Sequence, residues 1–371
     1  MNIRDLLILS HAPGIGPNRL RSLVNHFRDP HDVLEATPRQ LIAVEGIERR
    51  TALSIVGYFR GDGSVEARRF ADEQLARLNR VHGRIVTFWD KEYPAGLKRI
   101  YDPAPILFLR GAFADVDSYS IAIVGTRTPS PYGTQMADRF ATDLARLGLT
   151  VISGLARGID TSAHAAALRA HGRTIAVIGS GIDIMYPPEN KALADRIALD
   201  GAVVSECVAG TKPDAGNFPR RNRIISGIAL ATVVIETGVD GGAMITASTA
   251  LDQNREIFAV PSPISDKRKS GTNQLIREGR AMLVESIDDI VAELAPRLKG
   301  ILSTNVPCPE APPDLTLFER QLLDALTDEA LHIDALADRA GLSTADTLVH
   351  LLSLEFKGIV RQMPGKMFCR R

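Results

Sequence analysis

Residues 150–179 read TVISGLARGIDTSAHAAALRAHGRTIAVIG. Two short runs of β-branched residues, TVIS and RTIAVI, flank a glycine-bearing loop and a helical stretch, and Asp160 and Thr161 stand where they would cap the start of that helix. The order predicts a strand, a helix and a second strand. Such units pack as a sheet covered by helices.

The same alternation continues from about residue 80 to residue 295. Further strand-like runs are SIAIVG (120–125), AVVSE (202–206), ATVVIE (231–236), EIFAVP (256–261) and AMLVES (281–286). We expect an α/β fold with a doubly wound, mostly parallel sheet. Ligands of such sheets bind beyond the carboxyl ends of the strands. The site should therefore be built from the loops GTRTPSPYG (125–133), SGLARGIDTSAH (153–164) and GSGIDIMYPPEN (179–190).

Residues 1–75 predict a small helical domain. APGIGPNRLRSLVNHF (12–27) and LIAVEGIERRTALSIV (41–56) each place a tight glycine turn before an amphipathic stretch, which is typical of helix-hairpin-helix units. Such hairpins either bind DNA phosphates through turn amides or serve only as packing modules. Both alternatives remain open for this segment.

Residues 296–313 hold five prolines among polar residues and predict a linker. The segment 314–371 that follows predicts three helices and a closing hairpin, which together indicate a winged helix. Its third helix carries Asp346, His350 and Glu355, a poor surface for a phosphate backbone. We expect this domain to contact protein or to regulate, rather than to read DNA.

Composition limits the class of protein. The formal net charge is zero, with 44 basic and 44 acidic residues, so nucleic-acid binding would need a local basic patch. Cys207, Cys308 and Cys369 lie far apart, which argues against a zinc site or a disulfide framework and predicts reduced thiols. We expect no metal, no cofactor and no membrane segment, and a cytoplasmic location.

The motifs of common enzymes are missing from the sequence. The first strand leads into Gly125-Thr126-Arg127 instead of G-x-G-x-x-G, and no G-K-[S/T] occurs in the chain. Ser153, Asp160 and His164 could be imagined as a hydrolytic trio, but no G-x-S-x-G elbow surrounds the serine. We expect no catalytic residues and no enzymatic activity.

The stretch NFPRRNRIISG (217–227) concentrates positive charge. Arg221 and Arg223 should lie on the first turn of a helix, where cations are unfavourable unless an anion binds there. With Arg127 and Lys212 they would form a basic ridge along the strand ends, and Phe218 beside them would let bases of single-stranded nucleic acid stack. The alternative is that these arginines pair with acids such as Asp214 or Glu206, or are solvated.

The motifs IVGTR, SGLARGIDTSAHAAAL, TIAVIGSGIDIMYPPEN, NFPRRNRIISG, GGAMITASTALDQNREIFAVP and GTNQLIREG resemble the DNA-processing protein A family, also called DprA or Smf, over roughly residues 85–295. The resemblance implies an extended Rossmann-like domain with an N-terminal SAM-like helical domain and a C-terminal winged helix. It also implies a bacterial cytoplasmic homodimer that binds and protects single-stranded DNA without catalysis. Such a protein loads the RecA recombinase during natural transformation and homologous recombination.

The resemblance carries roles to particular residues. The nucleic-acid contacts that it implies are Gly125, Thr126, Arg127, Ser153, Gly154, Gly158, Phe218, Arg221, Asn222 and Arg223, to which the basic ridge adds Lys212. Arg220 occupies the variable position of its motif and should matter less. Some relatives have a lysine where this chain has Pro188, and Lys191 is the candidate to replace it.

The helix GTNQLIREG (271–279) resembles the family's dimer contact, with Leu275 and Ile276 as the interface residues. The rival interpretation is a nucleoside-monophosphate phosphoribohydrolase of the lysine-decarboxylase-like type, on a related Rossmann-like scaffold. Those enzymes carry P-G-G-x-G-T-x-x-E, whereas this chain has ETGVDGGAMITA at 236–247.

Overall fold

A single sheet organises the first 302 residues of the chain. The structure is a computed structural model that describes residues 1–266, 269–302, 316–326, 331–356, 359–363 and 365–370. Contacts divide the chain into two units, Met1–Thr304 and Asn305–Arg371, and each is described by itself.

Nine strands of the described residues form this sheet. They are β1 (Gly83–Thr87), β2 (Ile106–Gly111), β3 (Ser120–Gly125), β4 (Thr150–Ser153), β5 (Thr174–Ile178), β6 (Ala202–Ser205), β7 (Ala231–Ile235), β8 (Glu256–Ala259) and β9 (Met282–Leu283). Their order is β1-β2-β6-β5-β4-β3-β7-β8-β9. The strands β3 to β9 run parallel, and β2 is antiparallel to both β1 and β6. The predicted doubly wound, mostly parallel sheet is confirmed, while β1 and β2 were not anticipated.

Helices cover both faces of the sheet. On one face lie α7 (Ala95–Lys98), α11 (Asn217–Ile228) and α12 (Gly242–Asp252). On the other lie α8 (Pro131–Arg146), α9 (Ile159–Arg169), α10 (Lys191–Asp200) and α14 (Ile287–Leu302), and α13 (Gly271–Arg277) precedes β9. Side chains alternate between the faces: Ala122 and Val124 of β3 join the first layer, Ile121 and Ile123 the second. Burial on both faces explains why β3 is almost continuously apolar.

The N-terminal helices are α1 (Ile3–His11), α2 (Pro17–Phe27), α3 (Pro30–Glu35), α4 (Pro38–Ile42), α5 (Arg49–Arg60) and α6 (Gly63–Arg80). Gly14 turns the chain from α1 into α2, and Gly46 turns it from α4 into α5, each with a φ of +81°, which glycine adopts without strain. Arg19 donates hydrogen bonds to the carbonyls of Gly14 (2.8 Å) and Gly46 (3.3 Å) and so ties the two turns together. The predicted tandem of glycine-turn hairpins is present.

This helical layer shares its core with the sheet. Leu6, Leu23 and Leu41 belong to the same apolar cluster as Phe108 of β2 and Ile178 of β5. The predicted domain boundary at residue 75 falls inside α6, which continues to Arg80. The helices and the sheet form one unit because burying their facing apolar surfaces stabilises the contact.

The predicted linker 296–313 begins too early. Pro296 lies inside α14, which extends to Leu302. A proline in a helix interior costs about 3 kcal/mol. Leu298 and Ile301 are buried beyond it, and burying two such side chains contributes about 3–6 kcal/mol, so the helix continues. The remainder of the predicted linker, 303–313, lies outside the described residues.

The C-terminal unit has the winged-helix order of elements. It consists of α15 (Leu317–Ala325), β10 (Leu331–His332), α16 (Ile333–Ala340), α17 (Thr344–Phe356), β11 (Val360–Met363) and β12 (Met367–Arg370). The strands pair in the order β10-β12-β11. Leu322, Leu336, Leu351 and Phe368 are fully buried between the three helices and this small sheet. The predicted winged helix is confirmed.

A hydrogen-bond pair between α6 and the sheet domain offers a stability test. The buried Gln74 side chain donates to the Ala209 carbonyl (3.1 Å) and accepts from the Ala209 N–H (2.7 Å). In Gln74→Leu both buried backbone groups lose their partner, so we expect the free energy of unfolding to fall by about 2 kcal/mol or more. The exposed Arg69→Ala on the same helix should change it by no more than about 0.5 kcal/mol. Denaturant unfolding measures both, and equal midpoints for wild type and Gln74→Leu would contradict this docking contact.

Candidate nucleic-acid interface

A pocket of about 530 Å³ opens at the carboxyl edge of the sheet, between the loops that follow β3 and β7. The strand order reverses here, since β3 to β6 extend to one side and β7 to β9 to the other. Open α/β sheets bind ligands at such a point. The predicted contacts that line this switch-point pocket are Gly125, Thr126, Arg127, Phe218, Arg221 and Asn222.

The other predicted contacts lie around this pocket. Gly154 lines a small adjoining recess with Arg127 and Phe218. Lys212 is exposed on the loop that follows β6, and Arg223 lines a separate cleft. The structure therefore does not place all the cations of the predicted ridge in one pocket.

Backbone amides of the β4–α9 loop bind a carboxylate of the protein itself. The Asp160 carboxylate accepts hydrogen bonds from the N–H groups of Gly154 (3.1 Å) and Ala156 (3.3 Å). Gly158 holds a φ of +80°, and a Cβ there would stand 2.4 Å from the Thr126 carbonyl oxygen. An internal carboxylate therefore occupies the amides of Gly154 and Ala156, and Gly158 packs two loops together.

Arg221 is a structural residue. Its side chain points into the protein, is 6% exposed, and donates through Nη1 to the carbonyls of Gly154 and Val177. A Cβ on Gly154 would meet the guanidinium at 2.1 Å, so glycine makes room for it. Burial lowers the pKa of Arg221 to about 10, and burial raises the pKa of Asp160 while the Arg221 charge lowers it. The Nη1 donor of Arg221 is thus occupied by internal acceptors, whereas its buried Nε has no hydrogen-bond partner among the described residues. The predicted contact of Arg221 with nucleic acid stays a prediction.

Arg223 is also held by internal partners. Its Nη2 donates to both carboxylate oxygens of Glu206 at 2.6 Å, and its Nε lies 3.1 Å from the Asp102 carboxylate. Nη1 donates to the Asp102 carbonyl at 2.6 Å. Of the two alternatives, ion pairing with an acid such as Glu206 is the one observed. Arg223 is not an open phosphate contact.

Arg127 and Phe218 lie together in the accessible part of the pocket. The Arg127 guanidinium lies 5.0 Å from the centroid of the half-buried Phe218 ring, a cation–π contact. The Tyr186 ring is 6.2 Å from that of Phe218. A solvent-facing cation and two aromatic rings thus stand together at the pocket rim. This combination can neutralise a phosphate and stack a base.

Ser153 and His164 are fully buried beneath the pocket. The Ser153 hydroxyl donates to the Ile123 carbonyl at 2.6 Å, so the predicted contact of Ser153 with nucleic acid is wrong. His164 Nδ1 lies 2.7 Å from the Thr174 hydroxyl, and burial followed by the Arg221 charge lowers the pKa of His164 to about 3. A serine that donates to a main-chain carbonyl and a neutral, buried histidine do not form an exposed nucleophile–base pair.

Glu236 organises the loop after β3 and was missed from the sequence. It is 2% exposed with a φ of +50°, and its carboxylate accepts from the Ser130 N–H (2.7 Å) and hydroxyl (2.6 Å). Lys269 lies 2.9 Å from the same carboxylate, and the Glu236 carbonyl accepts from the Thr126 N–H at 2.8 Å. The sequence feature that could have indicated this role is the acidic residue directly after the apolar run ATVVI.

Lys191 lies in a different cleft from Phe218. It is the exposed first residue of α10 and shares its cleft with Arg80, Asp183, Asp195 and Pro188. Positions 188 and 191 thus lie in one cleft, outside the lining of the switch-point pocket, and the replacement of a lysine at 188 by Lys191 stays a prediction.

The described residues hold neither a cluster of metal ligands nor a membrane-spanning helix. No group of three or more histidine, cysteine, aspartate or glutamate side chains there is placed to hold a metal ion. None of the helices in that part of the chain has the length and apolarity to cross a membrane. The Cys308 thiol lies outside the described residues.

Comparison with known proteins identifies the family. Residues 84–295 match the model of DNA recombination-mediator protein A, residues 306–366 match a DprA winged-helix domain, and residues 6–60 match a SAM-like helix-hairpin-helix tandem. The chain belongs to the DNA recombination-mediator protein A family.

Individual relatives agree with this assignment. Protein Smf of Synechocystis sp. is 33% identical over 98% of both chains. DNA processing protein DprA of Bacillus subtilis is 43% identical over 56% of this chain and 70% of its own length. The X-ray structure of DNA processing protein A from Streptococcus pneumoniae superposes with a TM-score of 0.67 at 31% identity, covering 79% of this chain and 98% of that one.

The buried Arg221 and the exposed Arg127 should respond differently when each is replaced by alanine. Arg221→Ala removes the positive charge that compensates the buried Asp160 carboxylate and the donor to two carbonyls, so the free energy of unfolding should fall by about 3–5 kcal/mol. Arg127→Ala removes an exposed side chain and should change it by at most about 0.5 kcal/mol. Thermal or denaturant unfolding of the free proteins compares them.

The Arg221→Ala loss should depend on pH. A buried acid whose folded pKa is raised favours its protonated form, so its unfavourable contribution appears as pH rises above the ordinary value of 3.8. Without Arg221 that pKa rises further, and the variant should recover stability relative to wild type toward pH 4. A loss independent of pH would contradict the Asp160–Arg221 coupling.

Proposed function

We propose that this protein binds single-stranded DNA at the switch-point pocket. The observation that carries the proposal is the exposed Arg127 guanidinium stacked on Phe218 at the pocket rim, 5.0 Å from the ring centroid. Unpaired bases offer faces for stacking while their phosphates need only a few cations, and duplex DNA hides those faces. A zero net charge fits such a local contact better than a broad electrostatic one.

A relative supports this choice of ligand. The solved structure of DNA processing protein A from Helicobacter pylori is described by its single-stranded DNA binding mode, and it superposes with a TM-score of 0.53 at 28% identity over 58% of this chain. Family membership extends the proposal to protection of incoming DNA and loading of RecA during natural transformation, in the cytoplasm. RecA nucleation on DNA coated with a single-strand-binding protein, with and without this protein, tests the second step.

We further propose that the protein acts without catalysis. The stretch 236–247 lacks the Gly-Thr and the following glutamate of the phosphoribohydrolase motif, and Ser130 and Lys269 contact the carboxylate of its one glutamate, Glu236. Incubation with nucleoside monophosphates tests the rival, and release of free base at enzyme-like turnover would overturn the proposal.

The C-terminal domain is proposed to contact protein. Its helix α17 exposes Leu348, Val349 and Leu352, and Asp346 lies in its first turn. An apolar, acidic face suits a protein partner better than a phosphate backbone.

We also propose a homodimer, with a corrected set of contacts. Leu275 is 0% exposed and packs in the core under α11 and α12, so it is not available to a partner. Ile276 is half-buried, and Met282 and Leu283 are exposed on β9, the outermost strand of the sheet. An unpaired edge strand carrying exposed apolar side chains favours association with a second copy.

Two variants separate stacking from charge in DNA binding. Phe218→Ala should cost about 1–3 kcal/mol of binding free energy and leave the salt dependence unchanged, because stacking releases no counterions. Arg127→Ala should make the log–log salt slope shallower by about 0.7, the contribution of one phosphate on a single strand. Fluorescence titration of a labelled oligonucleotide at several salt concentrations measures both. If neither variant alters binding, the pocket is not the site.

The dimer proposal predicts a change of mass on charge insertion. Met282→Glu places a carboxylate on the outer strand and should yield a folded monomer at micromolar concentration. Exposed Leu199→Glu on α10 is the matched control and should keep the wild-type mass. Light scattering reports both, and an unchanged mass for a folded Met282→Glu variant would rule out this edge as the interface.

A further inference from the structure

Helix α11 separates two clefts. Phe218, Arg221, Asn222 and Ile225 follow helical spacing and face the switch-point pocket. On another side of the same helix, Arg220 and Arg223 face a second cleft of about 420 Å³. Its opposite wall is the first hairpin turn, Gly16, Pro17, Asn18 and Arg19, and Asp102 completes the lining. We call this second space the hairpin cleft.

The hairpin cleft carries an excess of positive charge. Arg223 is neutralised by Glu206 and Asp102. Arg19 donates to main-chain carbonyls, and the exposed Arg220 has no hydrogen bond or ion pair with the residues that the structure describes. The guanidinium groups in and beside the cleft therefore outnumber the carboxylates: they are those of Arg19, Arg21, Arg220 and Arg223 against those of Asp102 and Glu206.

An exposed aromatic residue is the chain neighbour of a residue that lines the cleft. Tyr101 is 94% exposed and immediately precedes Asp102 in the chain. Burying an aromatic ring is favourable, so a ring left almost wholly in water one residue from the cleft is suited to a ligand that stacks on it. Cations and an aromatic ring are the same combination that Arg127 and Phe218 form on the first side of α11.

We propose that a single DNA strand held at Phe218 continues over the start of α11 into the hairpin cleft. There its phosphates contact Arg220, Arg19 and Asn18, and a base stacks on Tyr101. Crossing a helix spans about 10–12 Å, so a strand longer than the first pocket requires reaches the second cleft without a change of fold. The inference rests on the proposed function, and it gives the first hairpin a phosphate-binding role.

Strand length tests the inference on the intact chain. Single-stranded binding sites of this type range from about 4 to about 16 nucleotides, so labelled oligothymidines of those two lengths probe one cleft or both. Arg220→Glu should weaken binding of the long strand about tenfold and make its salt slope shallower by about 0.7 or more. Tyr101→Ala should weaken it about tenfold with no change in slope. Both variants should bind the short strand like wild type.

Controls separate the possible failures. Arg146→Glu alters another exposed arginine, in the last turn of α8, and should leave both affinities unchanged. Arg220→Lys keeps the charge and should restore long-strand binding, and melting curves confirm that each variant is folded. Wild-type affinity of Arg220→Glu and Tyr101→Ala for the long strand overturns the inference, as does an equal loss on both strands. A wild-type protein that binds neither strand refutes the proposed function instead.

Discussion

The guanidinium of Arg221 holds the carboxyl edge of the sheet together. It reaches from the first turns of α11 to the carbonyls of Gly154 after β4 and Val177 in β5, with the Asp160 carboxylate as its counter-charge. The Nη1 hydrogen bonds connect these segments, and the Asp160 charge offsets part of the cost of burying the cation, while Nε has no hydrogen-bond partner among the described residues. The β4–α9 loop and the start of α11 therefore have fixed positions relative to each other. Phe218 lies three residues before Arg221 on the same helix, so its position is fixed as well.

This arrangement changes the meaning of the arginine-rich turn. Cations at the N-terminus of a helix face the positive end of its dipole, which suggested a bound anion. The anions are present in the protein itself: Asp160 for Arg221, and Glu206 with Asp102 for Arg223. Arg220, at the variable motif position, is the arginine of this turn that remains exposed. The arginines of a motif that is typical of a nucleic-acid-binding family can therefore stabilise the structure around the site instead of contacting the nucleic acid.

The periodicity of the sequence was sufficient to predict the architecture of the sheet, but not which side chains are buried. The β-branched runs predicted β3 to β9, and the glycine loops predicted the edge at which the pocket lies, because both depend on local spacing. The burial of Arg221, Ser153 and Leu275 depends on which distant residues face them, and sequence spacing does not encode that. Pro296 shows the same limit: its local cost is outweighed by burial of Leu298 and Ile301, which only the packed structure reveals.

Internal pairing of the arginines also determines how the proposed site would recognise DNA. With Arg221 and Arg223 buried inside the protein, the exposed cations near α11 are few, with Arg127, Lys212 and Arg220 foremost. Few phosphate contacts give a weak dependence on salt and a small electrostatic contribution to affinity. Stacking on Phe218 must then supply a larger share of the binding free energy, and stacking requires unpaired bases. On the proposed function, the preference for single strands follows from this shortage of free charge, because duplex DNA would offer the site phosphates without accessible base faces.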